Sequence, residues 1–393
     1  MQSTTEPAMA PAAGRNPFEE RPRLVFWETT RACALACRHC RADAQTSPLP
    51  GELGTREAEK LLEDIRGFGT PSPVVVFTGG DPLMRDDLWL LLEYAAFYRL
   101  PAAVSPAVTA RLDAGALRRL ADYGVQAASV SIDADATAHD ALRGVAGTHA
   151  RSVTALRDGA AAGLRMQVNT VVMRHTVPDL AKVAAMLLRE GVRTWEVFFL
   201  VATGRALASQ ELTPQEIDDV CLFLLDANRH GLVVRTVEAP FIRRVQAERP
   251  EGGPLYRRLR AELTALAGEP PGAPAQGQVA RRGTLDGDGI LFIAHDGRIM
   301  PGGLMPLELG NVRTDSLVAV YRDSPLLRDI RSRRLSGACG GCPWRQACGG
   351  SRARSLVATG DPLGSDPACV RVAAGISSGE PGRQPVDSPA RKG

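Results

Sequence analysis

From residue 23 to about residue 240, short apolar runs alternate with stretches whose apolar residues recur at helical spacing. The runs are Leu24-Val25-Phe26-Trp27, Val74-Val75-Val76-Phe77, Ala102-Ala103-Val104, Ala128 to Ile132, Met166 to Val172 and Glu196 to Leu200. Each is short, rich in β-branched or aromatic residues and bounded by turn residues, which predicts six strands. Between the first two, Ala58, Leu61, Leu62, Ile65 and Phe68 keep the i, i+3, i+4 spacing of one helix face. Thr55 with Glu57 and Glu59 marks one helix start, and Thr213-Pro214 with Glu216 another. Six β-then-α units imply an α/β fold with a parallel sheet and right-handed crossovers. Periodicity does not decide between an open sheet and a barrel.

The pattern changes after about residue 245. Pro and Gly cluster at Arg249 to Pro254 and again at Glu269 to Pro274, flanking an amphipathic helix expected over Leu255 to Leu266. Residues 246–283 are therefore expected to link a core over 23–245 to a smaller region over 284–372. In that region Ile290 to Ile293 and Arg298 to Met300 flank His295-Asp296-Gly297, a hairpin signal. The loop-rich segment that follows carries four cysteines and too little apolar periodicity for a core of its own, so a metal staple is expected instead. Residues 1–22 and 373–393 read as a disordered leader and tail.

Composition narrows the function classes. At 44% hydrophobic and 23% charged, the 393-residue chain is not a wholly disordered one. The 47 Lys+Arg against 44 Asp+Glu give +3, so neither nucleic acid nor a membrane surface is an expected partner. No apolar run approaches the roughly 18–20 residues that span a bilayer. Met1-Gln2-Ser3-Thr4 opens no charged and apolar signal region, so a cytoplasmic location with reduced thiols is expected. Eight cysteines then need an explanation other than disulfides.

Seven of them fall into two sets. Cys33-x3-Cys37-x2-Cys40 directly follows the first strand. Thiolates select zinc, copper(I) or iron–sulfur clusters. A structural zinc would want a fourth ligand, for which His39 is the local candidate. A 4Fe–4S cluster on three thiolates keeps one iron open for a ligand. The second set is Cys339-x2-Cys342-x5-Cys348 with Cys369 further on, a closed four-ligand site for zinc or a fully ligated cluster. Cys221 stands alone on an amphipathic stretch, Ile217 to Leu225, and is expected to be a buried thiol. Thr78-Gly79-Gly80-Asp81-Pro82 follows the second strand, where two glycines allow close backbone approach to a ligand and a carboxylate can receive an amine. Read alone, it is equally a plain turn. Ser105, Ser131-Ile132-Asp133, Asn169 and Gly204-Arg205 fall at or near the ends of later strands, which share one face in a parallel array. The run Arg328 to Arg334 is mildly basic, either a solvated helix face or a dock for an acidic electron donor.

The first cysteine spacing, with the aromatic His39 before the last cysteine, resembles the signature of the radical S-adenosylmethionine (SAM) superfamily, over about residues 23–372. That resemblance implies a partial (β/α)6 TIM-like barrel with a small C-terminal SPASM/twitch-like iron–sulfur extension. It implies a 4Fe–4S cluster on Cys33, Cys37 and Cys40 that chelates SAM and cleaves it reductively to a 5′-deoxyadenosyl radical. Gly79-Gly80-Asp81 is similar to the family's Gly-Gly-Glu loop, with Asp81 expected to receive the SAM amine. Ser131 and Asp133 look like residues that meet ribose or carboxylate, and Arg143 like a partner for the SAM carboxylate. His39, Ser105, Asn169 and Arg205 complete the expected cofactor contacts. The stretch Ser131-Ile132-Asp133, His139-Asp140, Arg143-Gly144 and Gly147 is similar to a pattern of the peptide-modifying branch, with Ala134 where a Gly is usual.

Cys339, Cys342, Cys348 and Cys369, with Gly349-Gly350, resemble the second auxiliary 4Fe–4S site of SPASM maturases. The ligands of the first are absent near Met300-Pro301-Gly302-Gly303 and at Arg352, which implies a single-auxiliary variant with that cluster as an electron relay. A peptide or small-molecule substrate and a flavodoxin- or ferredoxin-type donor are expected. A haem- or tetrapyrrole-pathway or sugar natural-product enzyme of the same superfamily is the alternative, and a non-catalytic zinc or electron-transfer protein the rival outside it.

Overall fold

A computed structural model describes residues 16–271 and 283–375. Seven strands form in order: β1 (Leu24–Thr30), β2 (Val74–Gly79), β3 (Ala102–Val104), β4 (Val125–Ser131), β5 (Arg165–Val172), β6 (Thr194–Phe199) and β7 (Val233–Val237). The helices between them are α1 (Thr55–Arg66), α2 (Leu88–Phe97), α3 (Ala114–Asp122), α4 (Ala136–Arg143), α5 (Thr148–Ala161), α6 (Leu180–Arg189) and α7 (Pro214–Arg229). Each strand pairs in parallel with the next, the arrangement βαβ crossovers impose.

Helices α8 (Ile242–Glu248) and α9 (Pro254–Ala267) follow, then β8 (Leu285–Asp286), β9 (Gly289–Ile293), β10 (Arg298–Met300) and β11 (Gly310–Asn311). The last helices are α10 (Leu317–Asp323), α11 (Pro325–Ser332), α12 (Gly337–Gly340), α13 (Arg352–Thr359) and α14 (Val370–Ala373). β9 pairs in parallel with β1, and β10 and β11 continue antiparallel, so the expected hairpin extends the core sheet. The strand order is β11-β10-β9-β1-β2-β3-β4-β5-β6-β7, an open sheet in which no pairing joins β7 to β11 among the described residues.

Burial alternates along the strands. Val25, Trp27, Phe77, Val130, Val168, Trp195 and Val197 are buried in one cluster with helix residues such as Leu61, Leu91, Leu117, Leu187 and Leu224. Full burial of each such side chain contributes about 1.5–3 kcal/mol. The alternate positions Phe26, Val76, Ser129, Gln167, Asn169, Glu196 and Phe198 stay partly exposed, so the other face of the sheet lines an open lumen.

Four expectations change. β7 is a seventh strand that its polar Arg235 and Thr236 hide from a search for apolar runs. The cap of α1 is Gly54, whose N–H donates to Glu57, while Thr55 is the first helical residue and donates to Asp87. Residues 16–22 are not a free leader: Asn16 donates to Asp288 and the Phe18 carbonyl accepts from Tyr321. The basic run is a solvated face only in part: Arg328 and Arg334 are exposed and pair with Asp323 and Asp329, whereas Arg331 and Arg333 are buried and Arg333 pairs with Asp288. The remainder of the leader and the tail beyond residue 375 lie outside the described residues.

Candidate functional site

The loop after β1 brings Cys33, Cys37 and Cys40 into one small apolar cluster with Leu35, Ala44, Ala107 and Val145. Its base is closed by Cys33 N–H to the Gln45 carbonyl (2.7 Å) and Gln45 N–H to the Arg31 carbonyl (2.9 Å). Distant elements clamp the rest. Arg38 N–H donates to Leu142 at the end of α4, and Arg205 N–H to the Cys40 carbonyl. The Arg205 side chain adds bonds to the carbonyls of Cys37 (2.9 Å) and Ala44 (3.1 Å). Gly204 lies at φ +60, and a Cβ there would fall 2.3 Å from the Cys40 carbonyl. Arg205, expected among the cofactor contacts, positions the loop through these bonds and keeps Nη2 buried without a partner.

The thiol chemistry fits a cationic group. Burial pushes the Cys33 thiol up to about 11, with Asp81, Cys37 and Cys40 adding repulsion. Three thiolates in so dry a place require a cation among them. No three His, Cys, Asp or Glu side chains among the described residues, those of either cysteine set included, converge on a single-ion position. His39 is buried with Nδ1 unpartnered, and burial followed by the nearby Arg143 charge lowers it to about 4, so it is a neutral ring.

Asp133 and Arg143 form the adjoining wall. The Asp133 carboxylate accepts from Arg143 (Nη2 2.6 Å, Nε 2.9 Å) and from Val171 N–H (3.0 Å). Its own N–H donates to Nδ1 of His139. Although burial opposes it, the Arg143 charge holds the Asp133 carboxyl well below the usual range. The other end of Arg143 reaches Cys37 Sγ at 3.8 Å.

The glycine loop departs from expectation. A Cβ on Gly79 would meet the Thr30 carbonyl, and one on Gly80 the Ala32 carbonyl, each at 2.3 Å. The close approach that needs glycine is to the chain itself. Asp81 is fully buried and accepts from Leu83 N–H, Ala107 N–H and Thr109 Oγ1, so its carboxylate organises this loop rather than facing the lumen.

Ser105, Ser129, Asn169, Gln167 and Glu196 are joined side chain to side chain across β3 to β6, at 2.8–3.3 Å. Ser131 contributes a carbonyl that accepts from Ser152. Opposite, beside β1 and β9, sequence reasoning missed a second group. Glu28 accepts from Arg41 (3.1 Å) and lies 3.1 Å from His295 Nδ1, and Arg41 stacks over Phe292 at 4.8 Å and donates to Gly303. Its one signal was the place of Arg41, next to Cys40 in the chain.

Cys339, Cys342, Cys348 and Cys369 line a single pocket of about 110 Å3, walled also by Phe241 and Trp344. Four thiols around one cavity are a donor set for zinc or for a fully ligated cluster. Burial pushes the Cys348 thiol up to about 12, with Cys369, Asp366 and Cys339 adding to it. Backbone N–H groups of Gly350 and Asp366 point at Cys348 and Cys339. Cys221, buried in α7, lines neither site.

Residues 27–187 match the model of the radical SAM superfamily. The chain is 35% identical over 352 residues to an AdoMet-dependent heme synthase of Oleidesulfovibrio alaskensis, covering 88% of this chain and 87% of that one. It is 32% identical over 361 residues to a mycofactocin maturase of Mycobacterium ulcerans, covering 90% and 89%. Streptococcus suis SuiB bound to S-adenosylmethionine shares the fold, with a TM-score of 0.63, 17% identity and coverage of 89% and 78%. No helix among the described residues is long and apolar enough to cross a membrane. A cysteine loop clamped at the strand ends of an open parallel sheet, matched along most of the chain by such relatives, makes this protein an enzyme of the radical SAM superfamily.

Proposed function

We propose that the enzyme oxidises its substrate through a 5′-deoxyadenosyl radical, with a second 4Fe–4S cluster on Cys339, Cys342, Cys348 and Cys369 as electron relay. The observation that carries the reading is the three-thiol set of Cys33, Cys37 and Cys40, which has no fourth thiol in its apolar cluster. A 4Fe–4S cluster held there would supply the electron that splits the SAM sulfonium and frees the radical that abstracts hydrogen from the substrate. The chain's own residues do the rest. Arg205 and Gly204 hold the loop, Asp133 aims Arg143 at Cys37, and the Ser105–Ser129–Asn169 ladder offers hydroxyl and amide groups to a ribose.

For the substrate, the 35% identity to heme synthases favours a tetrapyrrole. Phe26 and Phe292, neighbours in register with Arg41 over one ring, suit a flat, carboxylate-bearing molecule. The 32% identity to a mycofactocin maturase supports a peptide as the second reading. An anaerobic assay of 5′-deoxyadenosine tests the core of this. Cys40→Ala should abolish its formation, while Cys342→Ala should spare much of it and stop product. SAM cleavage by Cys40→Ala would sink the proposal. An iron tetrapyrrole and a precursor peptide, supplied separately, decide between substrates by which one raises 5′-deoxyadenosine yield.

A further inference from the structure

We infer that Arg352 is the counter-charge of the closed cysteine site and holds its cluster at a raised reduction potential, an inference that rests on the two-cluster reading above. Arg352 begins α13 and is 3% exposed. Its donors are all engaged with uncharged partners or sulfur: Nη1 with the carbonyls of Gly364 (2.7 Å) and Pro362 (3.1 Å), Nε with that of Gly350 (3.3 Å), and Nη2 with Cys339 Sγ (3.7 Å). Among the described residues no carboxylate forms a salt bridge with it; the nearby Asp366 carboxylate is taken by Arg354 (3.5 Å) and by Ser351 N–H.

A buried guanidinium without an anion is costly, and proteins pair such charges or use them. Glu238 is a carboxyl whose charge reaches Arg352, and burial pushes that carboxyl up toward its neutral form. Four thiolates holding a metal group supply an anion directly at Arg352, since they outweigh the positive charge of a 4Fe–4S core. Arg143 at the open site makes the contrast. It also touches one thiol, at 3.8 Å, but Asp133 neutralises it at 2.6 Å. At the closed site the guanidinium that touches a sulfur has no salt bridge, whereas at the open site it has one. Adding one electron makes a cluster more negative, and a fixed positive charge beside a sulfur ligand favours that form. One electron taken from a substrate radical oxidises that radical and reduces the closed cluster by one, so the charge makes the cluster a better acceptor. Gly350 permits the approach: at φ +66, a Cβ there would lie 2.6 Å from Arg352 Nη2 and 3.1 Å from Cys339 Sγ.

The test uses full-length chain carrying Cys33→Ala, Cys37→Ala and Cys40→Ala, so that only the closed site is read. Into it go Arg352→Gln, which keeps a donor for the carbonyls and drops the charge, and Arg352→Lys, which keeps the charge. Iron content and an anaerobic redox titration followed by electron paramagnetic resonance are measured for each. Arg352→Gln should make one-electron reduction about tenfold less favourable, a fall of about 59 mV. Arg352→Lys should fall by clearly less. Equal potentials in the three proteins, or iron loss in both variants with no shift in the fraction that stays loaded, would mean a purely structural arginine and overturn the inference. A triple-cysteine background that binds no iron would remove the two-cluster reading itself, and the inference with it.

Discussion

The two cysteine sites are built in opposite ways. The open site takes three ligands from eight consecutive residues, Cys33 to Cys40, and relies on remote elements to hold them: Leu142 after β4, Arg205 after β6 and the Asp133–Arg143 pair. The closed site gathers four thiols from a longer stretch, Cys339 to Cys369, held by its own loops and by bonds from Trp344 and Arg371 to Glu248 of α8. The difference teaches where each site's chemistry is controlled. Sheet geometry sets the open site, so the lumen and the thiols are aligned by the same strands. Local backbone and one arginine without a salt bridge surround the closed site, and Ser351 and Arg354 tie that segment to Glu238 and Leu200 of the core.

This contrast can be broken by mutation, beginning where the effect is largest. Asp133→Asn leaves Arg143 buried without its anion, at a cost of about 3–5 kcal/mol in unfolding free energy. Iron should fall at the open site and stay at the closed one; equal loss from both would mean that the sites are not separately held. Gly350→Ala strikes the closed site, forcing a Cβ against Arg352 and Cys339 at a left-handed position, for about 1–3 kcal/mol. It should release iron there while 5′-deoxyadenosine formation persists, and abolition of that activity would contradict the division.

The smallest effect lies where barrel and extension meet. Asp286 has a buried Oδ2 with no partner, and burial, then the charge of Glu238, raises its carboxyl well above the ordinary 3.8. A raised folded value means the folded protein keeps a proton that the unfolded chain releases, so stability falls as pH climbs above about 3.8. Asp286→Asn should remove that decline and stabilise by about 1 kcal/mol at pH 8 in chemical denaturation. An unchanged pH slope would show that Asp286 is not the group responsible.

Much of this was legible in the chain. Ligand spacing is local, so both cysteine sets could be read directly, as could the strands of continuous apolar residues. What the chain did not show was every partner that lies far along it. Arg205 looks like a cofactor contact until its carbonyl partners at Cys37 and Ala44 are seen, 168 and 161 residues away. Asp81 looks like an amine acceptor until Thr109 donates to it, and Gly79 and Gly80 look like a ligand cradle until they meet the carbonyls of Thr30 and Ala32. The Glu28–Arg41–His295 group spans 267 residues and has no motif. Arg331 and Arg333 read as solvent-facing because charge in sequence carries no information about burial.

The central claim is that one chain carries an open three-thiol site and a closed four-thiol site, each with its own 4Fe–4S cluster. Anaerobic iron and sulfide analysis of the full-length protein and of its Cys33→Ala, Cys37→Ala, Cys40→Ala variant tests it most directly. The account predicts about eight irons per chain falling to about four, with sulfide in step. Stoichiometric zinc in place of iron, or a variant that keeps all the iron or none of it, would contradict the account.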